Sequence, residues 1–172
     1  MAAIEAASRI VVCDAGPPIH LHELGCLSLL SDFSRVLVPA SVWDEIAEHR
    51  PAALNQPNLT FERRDPRTAL GVDLASVAQV FTLHRGELDA LHLTQELQAD
   101  LFLTDDAAAR LAARQLSLPV HGTIGIVVRA IRRGQRTKDE VIAILRSLSA
   151  VSTLHIRRSL LEEIIEQIEG PK

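Results

Sequence analysis

Along the chain, short blocks of consecutive apolar residues alternate with longer stretches whose apolar positions recur at helical spacing. Arg9-Ile-Val-Val-Cys13 is a continuous β-rich block, the pattern of a strand covered on both faces. Asp14-Ala-Gly-Pro-Pro18 ends it, because Gly and Pro force a turn and Pro can open a helix. Ile19, Leu21, Leu24, Leu27, Leu29 and Leu30 continue as a helical pattern broken at Gly25. Val36-Leu-Val38 reads as a second strand stopped by Pro39, with Ser41 as candidate cap of a helix to about His49. Between Pro51 and Pro66 the composition shifts to Pro, Asn and Gln, which predicts a loop with an edge strand at Leu59-Thr-Phe61.

Helical spacing resumes around Val72 to Val80 and from Gly86 to Leu97. Leu101-Phe-Leu103 predicts a third buried strand, and Asp105 and Asp106 start an Ala-rich helix to about Gln115. Leu118 to Val120 predicts a fourth strand, followed by Gly122-Thr-Ile-Gly125 and a helix through Arg133. Gly134 stops that helix, and Thr137 caps the next, about Lys138 to Leu148. Leu160, Leu161, Ile164, Ile165 and Ile168 give the last segment an amphipathic helical stripe. Strands alternating with helices predict an α/β fold, a parallel central sheet of about four to five strands flanked by helices on both faces. With 172 residues, 47% of them hydrophobic, one domain over 1–172 with its core at about 9–169 is expected.

Composition narrows the chemistry. Eighteen basic residues against 22 acidic ones give a formal charge of −4, which argues against a strongly basic nucleic-acid binder. Four Phe, one Trp and no Tyr argue against stacking of bases on aromatic rings. Cys13 and Cys26 have neither the number for a disulfide framework nor C-x-x-C spacing, so buried free thiols and a cytoplasmic location are expected. No signal-peptide pattern or membrane-spanning apolar run is present, nor a Walker loop, a G-x-G-x-x-G or a G-x-S-x-G.

The carboxylates remain. In an open α/β sheet, functional groups collect at the carboxyl ends of the strands. Asp14 follows the first strand and Asp105/Asp106 follow the third, where carboxylate oxygens suit a hard divalent cation. Asp106 equally suits a helix N-cap. Asp14, between a buried strand and a Gly-Pro-Pro turn, has no obvious capping role. Glu45 lies near the buried side of its helix, beside Ile46, and Glu87 stands in the first turn of another. Glu87 also reads as an acid that stabilises the helix dipole.

In this order the acidic motifs resemble the PIN-domain family, in particular the VapC-like toxin ribonucleases and a PIN-like group with a Gly-Glu third motif. Ile10-Val-Val-Cys-Asp14-Ala-Gly-Pro-Pro-Ile19 matches the first motif and Val38-Pro-Ala-Ser-Val-Trp-Asp-Glu45-Ile46 the second. Arg85-Gly-Glu87-Leu-Asp-Ala90 is similar to the third, and Leu103-Thr-Asp-Asp106 to the fourth. The resemblance implies a metal-dependent ribonuclease hydrolysing RNA phosphodiester bonds, the toxin of a toxin–antitoxin pair. It implies that Asp14, Glu45, Glu87 and Asp106, assisted by Asp105, hold Mg²⁺ or Mn²⁺, and that a homodimer binds a cognate antitoxin. The chain departs from the pattern at Gly16, where many members carry Ser, Thr or Asn to support the site by hydrogen bonding. A non-catalytic PIN-like module that binds RNA or protein is the alternative.

Basic residues supply secondary candidates. Arg110 and Arg114, spaced i, i+4 beside the acids, suit substrate contact or pairing with Asp105 and Asp106. His84, near Glu87, suits contact with substrate or metal-bound water, or is a plain surface histidine. Arg63, Arg64 and Arg67, and Arg129, Arg132, Arg133 and Arg136, read either as phosphate contacts or as salt-bridged helix faces.

Overall fold

The computed structural model describes residues 9–170. Five strands, β1 (Ile10–Cys13), β2 (Arg35–Val38), β3 (Phe61–Arg63), β4 (Leu101–Leu103) and β5 (Val120–His121), form one parallel sheet in the order β3-β2-β1-β4-β5. Val11, Val12 and Cys13 are all fully buried. Successive strand residues point to opposite faces, so the sheet is covered on both. This is the α/β architecture that the alternating pattern predicts.

Eight helices surround the sheet: α1 (Gly16–Glu23), α2 (Ala40–His49), α3 (Val72–Phe81), α4 (Arg85–Leu97), α5 (Ala107–Gln115), α6 (Thr123–Arg132), α7 (Lys138–Val151) and α8 (Arg158–Glu169). Helix α4 packs on β1 and β4 and against α2, while α3 packs on α5. Helix α1 packs against α6, which is followed outward by α7 and α8. No helix is long and apolar enough to cross a membrane among the described residues.

The chain runs from β1 outward to β3 and then returns to β4 on the other side of β1. The crevice between the carboxyl ends of β1 and β4 is therefore the topological switch point, where open α/β sheets hold their ligands. Asp14 follows β1 and Asp106 closes the short turn after β4, so both acids border that crevice.

Three local expectations shift. Ser41 does not cap α2, which begins one residue earlier with Pro39 at the cap position. Asp65 Oδ1 accepts the Ala40 amide at 2.7 Å, and Ser41 Oγ donates to Asp89 Oδ2 at 2.7 Å. The edge strand lies at 61–63 because its register is set by Val36–Val38, while Leu59 closes a turn on Gln56. The last strand is Val120–His121, set by pairing with Phe102 and Leu103 rather than by its own apolar run.

Of the basic clusters, Arg129 and Arg133 both bind Asp32, at 2.7 and 2.9 Å, and Arg129 also covers the Phe33 ring at 4.7 Å. Arg63 pairs with Asp44 at 3.0 Å. Asp32 fixes α6 to the turn before β2, and the Arg129 side chain it binds is only 9% exposed. Asp32→Ala leaves that guanidinium without its anion and should cost about 2 kcal/mol in urea denaturation, short of the full cost for a completely buried pair.

Candidate active site

Asp14 is 8% exposed and emerges from the central strand into a polar enclosure. Thr104 Oγ1, fully buried at the end of β4, donates to Asp14 Oδ2 at 2.9 Å. The same Thr104 oxygen accepts the Asp106 amide at 3.2 Å, so one hydroxyl ties the first acid to the backbone of the last. The support that Gly16 lacks a side chain to give thus comes from β4.

The start of α4 closes on Asp14 from another side. A Cβ placed on Gly86 would lie 3.2 Å from Val42 Cγ2, 3.8 Å from Glu45 Oε2 and 4.0 Å from Asp14 Oδ1. The tight contact is with the Val42 methyl, while both carboxylates lie at ordinary van der Waals distance from that point. The helix N-terminus carries partial positive charge, which favours anions there. Glu87, one residue on, is folded back so that its Oε2 accepts the His84 amide at 2.8 Å. The His84 ring is exposed, with Nδ1 3.6 Å from that same oxygen.

Burial pushes the Asp14 carboxyl up to about 6, and the negative charges of Glu87 and Glu45 add to the shift. The Ala15 amide and the Thr104 hydroxyl oppose it but do not cancel it. Two of the other three expected carboxylates, Glu87 and Glu45, therefore act electrostatically on Asp14. Their side chains have not drawn in to ligand distance: among the described residues, no three Asp, Glu, His or Cys side chains are grouped closely enough to hold an ion as they stand. The donor set nonetheless suits a hard divalent cation, because it is made of carboxylate oxygens and its innermost member resists ionisation until positive charge arrives.

Asp106 lies at the edge of this group. Its Oδ1 accepts the Ala109 amide at 2.8 Å and caps α5, leaving its other oxygen without a hydrogen bond. Asp105 is engaged elsewhere. Its Oδ1 accepts the Thr123 amide at 2.7 Å, and its Oδ2 accepts the Thr123 hydroxyl at 2.6 Å. His20 Nδ1 lies 2.7 Å from that Oδ2, the position of a donating ring N–H. Asp105 thereby joins the end of β4 to α1 and α6, a use that its expected assistance to a metal did not anticipate. Around Gly122 the chain is again close: a Cβ there would fall 2.6 Å from Asp105 Oδ1 and 3.3 Å from Arg110 Nη1. Arg110 and Arg114 have no carboxylate partner among the described residues; both line a cavity of about 620 Å³ beside Asp105.

The sequence reading missed Thr104, His20 and Thr123. The Thr-x-Asp spacing around Thr104 was the visible signal for the first. Nothing local marks the other two, which meet Asp105 across 85 and 18 residues of chain. The family model that matches, over residues 10–170, is described as a PIN domain. No curated protein matches the chain.

The Asp14 shift fixes a pH dependence. Its folded-state value lies above the unfolded one, so the fold accommodates the protonated acid better. Stability is fully present below about pH 4 and is lost as the pH rises through about 6. The metal-free protein should lose on the order of 3 kcal/mol across that window, and Asp14→Asn should remove most of the loss. Thermal melts of both proteins at pH 4.5 and 8 in EDTA measure it. Gly122→Ala should displace Asp105 from Thr123 and lower the melting temperature at every pH in the series.

Proposed function

The chain belongs to the PIN-domain family, and from that premise we propose that it is a metal-dependent ribonuclease hydrolysing RNA phosphodiester bonds. Members of the family are generally nucleases. The observation that carries the reading is the Asp14 carboxylate at the switch point, held short of easy ionisation by its burial, to which Glu87 and Glu45 add their negative charge. Such an arrangement costs stability unless a cation joins it.

Asp14, Glu45 and Glu87 would hold the ion, Mg²⁺ or Mn²⁺, with Asp106 at the rim. Bound there, a divalent cation supplies an activated water and charge stabilisation at phosphorus. The protein's own residues do the positioning. Thr104 fixes the rotation of the Asp14 carboxyl, and the His84 amide fixes that of Glu87. Capping of α5 leaves Asp106 one oxygen turned to other uses. Arg110 and Arg114, unpaired, present positive charge to phosphates flanking the cleaved bond, and exposed His84 stands where it can meet substrate beside Glu87.

A cytoplasmic toxin neutralised by an antitoxin, acting as a homodimer, is the biological setting proposed. Exposed Val72 and Val80 on α3 and Leu111 on α5, which packs against α3, support a surface for a second copy.

Purified protein should cleave single-stranded RNA with Mn²⁺ or Mg²⁺ and not in EDTA. Asp14→Asn, Glu45→Gln and Glu87→Gln should each reduce the rate by about 100-fold or more while melting cooperatively. Equal cleavage by wild type and all three variants would assign the activity to a contaminant. Calorimetric titration with Mn²⁺ should show binding by wild type that Asp14→Asn weakens. No binding at millimolar ion, with no cleavage, would favour a non-catalytic RNA- or protein-binding module.

A further inference from the structure

The cavity beside Asp105 lies between α5, the end of β5, the first turns of α6, the segment 154–157 and α8. Its volume of about 620 Å³ is in the range of sites that enclose a small organic ligand. Its lining is of two kinds. Ile124, Val128, Leu160 and Ile164 provide apolar surface. Arg110, Arg114 and Arg157 provide three guanidinium groups, and His121 and His155 also line it.

The charge on that wall has no internal answer. Arg35, Arg50, Arg129, Arg133 and Arg158 are each paired with a carboxylate within 3 Å, while Arg9, Arg64, Arg67, Arg132 and Arg136 form no salt bridge among the described residues. None of the three cavity arginines is paired among the described residues. The one acid in the lining is Asp105, and both its oxygens already accept from Thr123, with His20 against the second. Partial desolvation, with the positive charges of Arg129 and Arg132 nearby, lowers the His121 pKa from its ordinary value.

The position is as informative as the lining. Asp105 precedes Asp106 in the chain, and Arg110 Nη1 and the Thr104 carbonyl oxygen approach the same point at Gly122, at 3.3 and 3.2 Å. The cavity therefore reaches Asp105, the neighbour in the chain of Asp106. The last wall is held in place from a distance: Glu23 on α1 accepts from the Thr153 amide and the Ser152 hydroxyl, at 2.8 and 2.9 Å.

We infer that this cavity is a nucleotide subsite. It would take one nucleotide of the bound strand, its phosphate against the arginines and its base against the aliphatic wall. The inference rests on reading the adjacent carboxylates as an RNA-hydrolysing site. A bare anion would leave the apolar wall unused, and an apolar ligand would leave three cations unmatched. In a chain with no Tyr and one Trp, an aliphatic surface and guanidinium planes take the place of aromatic stacking.

The test is calorimetric titration with 5′-AMP in EDTA, with adenosine and inorganic phosphate titrated in parallel. 5′-AMP should bind saturably, and each fragment at least about 10-fold more weakly. The double variant Arg114→Ala/Arg157→Ala, at exposed positions that should not disturb folding, should weaken 5′-AMP by about 10-fold or more. Amide shifts at Gly122, Ile124 and Gly125 should follow the titration. Absence of saturable binding, equal binding of phosphate alone, or no response to the double variant would each overturn the subsite. Nucleotide binding without RNA hydrolysis would leave the subsite standing and overturn the ribonuclease reading. Hydrolysis without nucleotide binding would do the reverse.

Discussion

A carboxylate withdrawn from water must be met by hydrogen bonds or by opposite charge, and Asp14 imposes that requirement on the whole carboxyl edge of the sheet. It directly follows the central strand and its amide donates to the Leu103 carbonyl at 2.8 Å, so it cannot swing out to solvent without disturbing the end of β1. What surrounds it is arranged accordingly. The threonine after β4 reaches it with its hydroxyl, and Gly86 in the first turn of α4 lies close to it. Neither device satisfies it fully, because burial outweighs them and Glu87 and Glu45 bring further negative charge to the same place. A structure selected for stability alone would not gather them.

Much of this was legible in the residues. The inner strands announce themselves as apolar runs, and the last helices as periodic stripes, because both patterns are local. Asp14 was legible for the same reason: an acid between a buried strand and a Gly-Pro-Pro turn has few bland explanations. Glu45 and Glu87 were different. Each sits on an ordinary amphipathic helix; Glu45 stood apart from Asp44 and Glu48 by its expected place near the buried side, which the structure leaves exposed, and resemblance to a family gave both acids their shared role. The short edges were misplaced by a residue or two, since β3 and β5 owe their limits to partners rather than to their own composition. Ser41 shows the same override: a good capping residue became a helix-interior donor once Asp65 and Asp89 were folded against it.

Side-chain partnerships across the chain were not legible at all. His20 with Asp105, and Glu23 with Thr153, join residues 85 and 130 positions apart. No periodicity encodes such pairs. They decide where one charge region stops and another starts. Acids collect at the end of β1, on α2 and at the start of α4, while Arg110, Arg114 and Arg157 line the cavity at the end of β5, where Asp105 is satisfied by Thr123. The net charge of −4 averages over this division and conceals it.

The tripeptide Thr104-Asp105-Asp106 sends three successive side chains to three different destinations. The first goes to Asp14, the second to α1 and α6, and the third to the amides of α5. Such a segment tolerates no slippage. Inserting or deleting one residue would hand each neighbour the wrong group, exchanging the hydroxyl for a charge and a strut for a cap. Loop length after β4 is therefore as tightly specified as any residue's identity, and lineages of this protein should vary in length elsewhere before they vary there.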